Sequence, residues 1–236
     1  MQEMSGLLHF AETRLQEAAL VWMACVYAFK IRWLLSFKDG KDGSIATGMG
    51  AVDKETGKWY SMANIVMPWA MESTRKNPFF YLQFVLFHLG VVASISMSFV
   101  IPYMPFLLKN ALVVKVIQGL CATACVIGIG RMIRRIVRPV MRLISTPDDY
   151  FSLALLTVWF AVATLAAPND ISGGEGIMLT YFFMTAFFLI YVPFSKISHY
   201  LYYPFTRFWI GRALAKRGVY PPVKGPDQVA SKYAEV

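Results

Sequence analysis

The sequence predicts an all-α membrane protein, a bundle of five transmembrane helices with the N-terminus outside and the C-terminus in the cytoplasm. Three observations carry that expectation. First, 57% of the 236 residues are hydrophobic and only 16% charged, with a mean hydropathy of +0.49, too apolar for one ordinary soluble domain. Second, five continuous apolar runs reach the roughly 20 residues that a helix needs to cross a bilayer. Third, the basic residues are segregated to alternate connections. A β-barrel would instead show alternating segments of about 10 residues, which these Leu-, Phe-, Val-, Ala- and Met-rich runs do not.

The first apolar run spans 18–36 and follows a short outer segment, 1–17, in which Glu3, Glu12 and Glu17 outweigh Arg14. Without a basic stretch ahead of the apolar one, an uncleaved helix is expected rather than a signal peptide. The second and third runs cover 79–101 and 111–130, the fourth 150–167 and the fifth 177–203. The fourth has a marked start in ISTPDDYF: Thr146 suits the N-cap, Pro147 the first helical position, and Asp148 and Asp149 the first turn, where exposed amides favour carboxylates. Cys121 and Cys125 lie four apart on one face of the third run and, like Cys25 in the first, read as small packing residues.

Orientation follows from charge. Lys38, Lys41, Lys54, Lys58, Arg75 and Lys76 lie between the first two runs; Arg131, Arg134, Arg135, Arg138 and Arg142 lie between the third and fourth; Arg207, Arg212, Lys216, Arg217, Lys224 and Lys232 follow the fifth. The other connections carry almost none, so the positive-inside rule places the rich ones in the cytoplasm. The net charge of +9 then describes a membrane face suited to anionic lipid or a partner, not a nucleic-acid surface. The expected division is an outer segment 1–17, a membrane domain 18–206 containing a cytoplasmic loop 37–78, and a cytoplasmic tail 207–236. The loop is longer than a connector requires, and with the tail after Gly218 it reads as material for docking another subunit.

Three histidines are present. His9 falls in the amphipathic GLLHFAETRL and reads as a surface side chain. His88 lies 12 residues past Lys76, and His199 lies 8 residues before Arg207. At 1.5 Å per residue both rings sit roughly 12 to 18 Å inside the cytoplasmic boundary. Ionisable side chains at such depth are functional candidates. Two imidazoles at one depth on different helices suit axial ligation of a haem iron, a proton relay, or an interhelical hydrogen bond, and spacing does not choose among them. Gly90 would leave room for a porphyrin, and Phe84, Phe87, Tyr200, Tyr202 and Phe205 would surround it. The absence of intramembrane carboxylates in the second to fifth runs argues against a transporter.

Three stretches carry a resemblance to a known family: FHLG at 87–90, the Arg-rich run leading into STPDDY at 145–150, and FFLIYVPFSKISH at 187–199. Across the second to fifth runs, half to two-thirds of the chain, the sequence resembles the γ subunit of respiratory nitrate reductase and its cytochrome b relatives in sulfate-reducer and heterodisulfide-reductase-type complexes. The resemblance implies five transmembrane helices in the same orientation, with His88 and His199 as ligands of the haem b nearer the cytoplasm. Two-haem members carry further histidines at the positions of Ser98 and Tyr181, so one haem b is expected here. Lys196, Arg131, Arg134, Arg135 and Arg207 are the candidate propionate partners. A lysine in the region of Lys115 is associated with quinone binding in the family, and Gln118 one turn on is a candidate for a quinone carbonyl, menaquinone or ubiquinone; Lys115 snorkelling to the surface and Gln118 bonding a neighbouring helix are the plain alternatives.

The expected function is therefore a haem b membrane subunit of a multi-subunit respiratory oxidoreductase in a bacterial or archaeal plasma (inner) membrane. It would carry electrons between the quinone pool, or a quinone-reactive or periplasmic multihaem cytochrome partner, and a cytoplasmic iron–sulfur subunit, alongside other membrane subunits. The alternative is a haem-free anchor or assembly subunit. No residue pattern suggests a general acid, base or nucleophile, so the chain reads as an electron-transfer subunit and not a complete enzyme.

Overall fold

The computed structural model describes residues 5–38, 54–220 and the single positions Gly40 and Gly43. The turn-rich stretch 44–53 and the tail 221–236, both read above as docking material, lie outside the described residues. The rest is helical: α1 (Gly6–Glu12), α2 (Arg14–Leu35), α3 (Lys54–Ala63), α4 (Glu72–Lys76), α5 (Pro78–Tyr103), α6 (Ala111–Val137), α7 (Pro139–Ile144), α8 (Pro147–Ala166), α9 (Gly176–Tyr191) and α10 (His199–Lys216), with short 3-10 turns between several of them. Five stretches are long and apolar enough to cross a membrane: Gly6–Leu35, Pro78–Tyr103, Ala111–Val137, Pro147–Ala166 and Gly176–Phe194.

The chain divides into two compact units, residues 1–37 with 79–198 and residues 38–78 with 199–236. The first unit holds the five spanning stretches. Its surface is crowded with large apolar side chains, Phe29 at 74% exposure, Val126 at 68% and Leu165 at 62% among them. A soluble monomer rarely shows so much apolar surface, and a lipid solvent removes the difficulty. The core is lined by Ala93, Met97, Cys121, Ala124, Phe160, Ala163, Tyr181 and Phe182, all buried. Small residues let the helices approach closely, as membrane packing favours. A Cβ on Gly90 of α5 would lie 2.3 Å from that of Ala124 in α6, so the missing side chain makes room for a neighbouring helix, not for the porphyrin expected there.

Helix starts follow local chemistry. Asn110 caps α6 by accepting from the Leu112 amide at 2.9 Å. The anticipated start of α8 is present as a reciprocal capping box of Thr146 and Asp149, with Pro147 in the first turn. Two boundaries differ from the hydropathy reading. Helical structure begins at Gly6, not near 18, because Leu8, Ala11 and Gln16 are buried and the Gln16 amide donates to the Phe182 carbonyl of α9 at 2.8 Å. The fifth span does not run on to 203. It ends in a 3-10 turn at Val192–Phe194, where Pro193 supplies no amide hydrogen.

The second unit pairs α3 with α10. Gly57 and Gly211 face each other so closely that a Cβ on Gly211 would lie 2.6 Å from the Gly57 carbonyl oxygen. Arg207 extends this pairing through its Nε, which donates to the Ser61 carbonyl at 3.1 Å, and through Nη2 to Asn64. Tyr203 donates to the Met62 carbonyl at 3.1 Å. The expected tail from residue 207 thus begins inside a helix.

Candidate functional site

His88 lies near the middle of α5, ten residues from its start at Pro78, about 15 Å along the axis. Its ring is half-buried, with Nδ1 at 2.7 Å from the Phe84 carbonyl oxygen one turn earlier. A carbonyl only accepts, so Nδ1 carries a hydrogen, and in the neutral form of the ring the lone pair is then on Nε2. That is the tautomer in which metal-ligating imidazoles are held, with one nitrogen tied to an oxygen acceptor and the other presented to a metal. The Phe84 ring packs on the imidazole at 4.2 Å between centroids. Phe87 meets Phe160 of α8 edge-on at 5.2 Å and carries the Arg131 guanidinium 4.7 Å above its centre. A half-buried cation on an aromatic face is favourable by about 0.5–2 kcal/mol.

His199 opens α10, is exposed, and lies five residues beyond the fifth span, which ends at Phe194. The depth count inward from Arg207 needs an unbroken spanning helix through 203, so it does not place His199 level with His88. His9 is on the surface, 3.5 Å from Glu12, as expected.

The break ahead of His199 is held on two sides. Lys30 of α2 donates to the Pro193 carbonyl and lies 5.3 Å over the Phe194 ring. From α8, Asp148 accepts from the Lys196 amide at 3.2 Å and from the Tyr191 hydroxyl at 2.5 Å. The Lys196 ammonium donates to Thr146 and Asp149, each at 2.8 Å. These groups replace the hydrogen bonds that the helix gives up at Pro193. Lys30 was visible in the sequence as one of two cations, with Arg32, in the first apolar run, but nothing there named its partner.

The five candidate propionate partners separate into two sets. Lys196 and Arg207 are engaged in the contacts just described, and Arg135 donates to the Ser145 hydroxyl at 2.5 Å. Arg131 stays beside Phe87, while Arg134 lies 4.6 Å over the Phe80 ring. Of the quinone candidates, Lys115 is exposed, and the Gln118 amide donates to the Thr164 carbonyl of α8 at 3.1 Å, a helix-to-helix bond. The structure does not gather these two into a site with His88.

At the two positions that the resemblance assigns to further histidines, Ser98 donates to the Ile95 carbonyl at 2.7 Å. Tyr181 is fully buried and donates to the Ser94 carbonyl at 2.6 Å. Ser94 in turn meets the Cys121 thiol at 3.3 Å. Among the described residues no three His, Cys, Asp or Glu side chains gather around one point.

The five spanning stretches and the lipid-type surface define a helical multi-pass membrane protein. Over 187 residues, 74% of this chain and 76% of the other, it is 28% identical to a protein of Nitratidesulfovibrio vulgaris (strain Hildenborough) named only "Protein". No family model matches the chain, and no solved structure matches it.

Proposed function

We propose that this chain is a haem b membrane subunit of a multi-subunit respiratory oxidoreductase. It would pass single electrons between the quinone pool, or a quinone-reactive or periplasmic cytochrome partner, and a cytoplasmic iron–sulfur subunit. The observation that carries the proposal is the Nδ1–H of His88 anchored on the Phe84 carbonyl within a spanning helix. It fixes the ring so that, in its neutral form, the second nitrogen is the basic one. Haem supplies four of its iron's ligands itself, so a protein needs to add only one or two; the three-residue clusters of other metal sites are not required. His199 is assigned as the second ligand on the resemblance of FFLIYVPFSKISH alone.

When bound, the haem supplies the one-electron chemistry. The chain's own contribution is to hold and orient. Phe84 fixes the plane of the His88 ring, Phe87 and Phe160 wall the neighbourhood, and Arg131 places a positive charge there.

A second reading, a haem-free anchor subunit of such a complex, is favoured by the exposure of His199 beyond the end of the fifth span. Reduced-minus-oxidised spectra of the purified complex separate the two. The cytochrome reading predicts that His88→Ala and His199→Ala each lose the b-type signal while His9→Ala keeps it. An unaltered spectrum in either of the first two variants removes that residue from the ligand set.

A further inference from the structure

At the end of the bundle where α5 begins and α6 ends, two guanidinium groups have no hydrogen-bond acceptor among the described residues. Arg134 lies in the last turn of α6 and Arg138 is its C-cap, whose backbone amide donates to the Arg134 carbonyl at 3.1 Å. Neither makes a hydrogen bond or ion pair through its side chain among the described residues. The Nε of Arg134 is closed off without a partner, so its hydrogen bonding must run through the two terminal nitrogens. The nearby carboxylates are taken: Asp148 and Asp149 accept from Tyr191, Ser152, Lys196 and Thr146.

Depth says what the missing acceptor is. α5 has 26 residues and α6 has 27, so each is about 40 Å long against a hydrocarbon layer of about 30 Å. Roughly three residues at each end therefore stand in the head-group zone. Arg134 lies three residues before the end of α6 at Val137, and Phe80, whose face it covers, lies two residues after the start of α5. Arg131, nearly two turns before that end, lies deeper and belongs to the surroundings of His88.

The surface beside these cations is apolar. Ile136, Val137, Val140, Leu143 and Ile144 are between 55% and 89% exposed. They lie on the last turn of α6 and on α7, which is fastened back by Arg135 through Ser145, whose hydroxyl donates to the Met141 carbonyl at 2.6 Å. Cations at phosphate depth beside a wall suited to acyl chains match one kind of molecule.

We propose that Arg134 and Arg138 bind the phosphate of a phospholipid head group, with the exposed residues of α6 and α7 against its acyl chains. Arginine's planar fork suits two phosphate oxygens at once. The site leaves Arg131 and both histidines untouched and takes Arg134 out of the set of candidate propionate partners.

The test is lipid retention by the intact complex, counted by native mass spectrometry after detergent exchange in the presence of phosphatidylglycerol, diacylglycerol or inorganic phosphate. Wild type is expected to keep phosphatidylglycerol and not diacylglycerol. Arg134→Gln/Arg138→Gln should reduce that retention about thirtyfold, as expected for two cations at a membrane surface at about 1 kcal/mol each. Arg134→Lys, which keeps the charge and lacks the fork, should fall between them, so a loss of fold in the double variant does not leave the question open. Equal retention by wild type and both variants overturns the proposal. Retention of inorganic phosphate in place of the lipid overturns the lipid assignment. Loss of haem from the double variant with lipid retention intact assigns these arginines to the cofactor instead.

Discussion

Two levels of the same bundle, about 9 Å apart along α5, hold their polar groups differently. Around Tyr181 the polar groups are satisfied by one another. Tyr181 donates to Ser94, Thr185 donates to the Tyr181 carbonyl, and the Trp159 indole donates to Thr185, all among fully packed neighbours. Around His88 a half-buried ring is oriented by its own helix. The imidazole Nδ1 lies 2.7 Å from the Phe84 carbonyl oxygen, and the Arg131 guanidinium rests on the Phe87 ring. The first arrangement is what a helix bundle needs to pack. The second lies where the resemblance of FHLG assigns a haem ligand.

The largest expected effect comes from the contact that joins the levels. Gly90→Leu would drive a side chain into Ala124 and the Leu120 carbonyl, 2.3 and 3.1 Å from the new Cβ. Overpacking of this kind costs about 1–3 kcal/mol or more, so the purified yield of folded protein should drop sharply; an unchanged yield would mean that α5 and α6 do not meet there. Tyr181→Phe removes one buried hydrogen bond and should cost about 1 kcal/mol, read as a small fall in thermal midpoint, while leaving the haem signal intact. If the signal vanished, the two levels would not be separable.

Smaller still is Lys196→Met. Its partner contacts are half-exposed, with the Lys196 side chain at 54%, and such pairs contribute about 0–1 kcal/mol. The fall in midpoint should accordingly stay small; a large one would make the clamp on the helix break a principal support. Smallest is the pH response of the contact between α1 and the start of α9. The Ser5 amide and hydroxyl donate to Glu175 and hold its carboxyl below its ordinary value of 4.5. A depressed carboxyl stabilises the fold above its unfolded value and loses that contribution as pH falls through the folded one. Glu175→Gln should thus reduce the difference in thermal midpoint between pH 7 and pH 3; an equal difference in both proteins would remove the contact.

How much of this the sequence disclosed depends on the kind of information. Five spans follow from hydropathy because a bilayer imposes length and apolarity directly. The first begins earlier than its apolar run because Gln16, polar by composition, is buried through a bond to α9 that lies 166 residues away in the chain. The fifth ends earlier because the apolar run continues through Pro193, and hydropathy does not register a missing amide. The pairing of α3 with α10 had a readable signal in small residues four apart, Gly57 with Ser61 and Gly211 with Ala215, but their match is tertiary. At the site, His88 was legible as a histidine inside a span; its tautomer was not, since that depends on which carbonyl the ring reaches. Gly90 was legible as a place needing space, and only packing shows that α6 fills it.

The measurement that tests the central claim most directly is haem counted per copy of this chain in the wild-type complex, from a dithionite-reduced minus oxidised spectrum calibrated by extraction. One haem b per chain is the predicted result. No b-type absorbance attributable to the chain would contradict the cytochrome reading, and two haems would contradict the assignment of the Tyr181 level to packing alone.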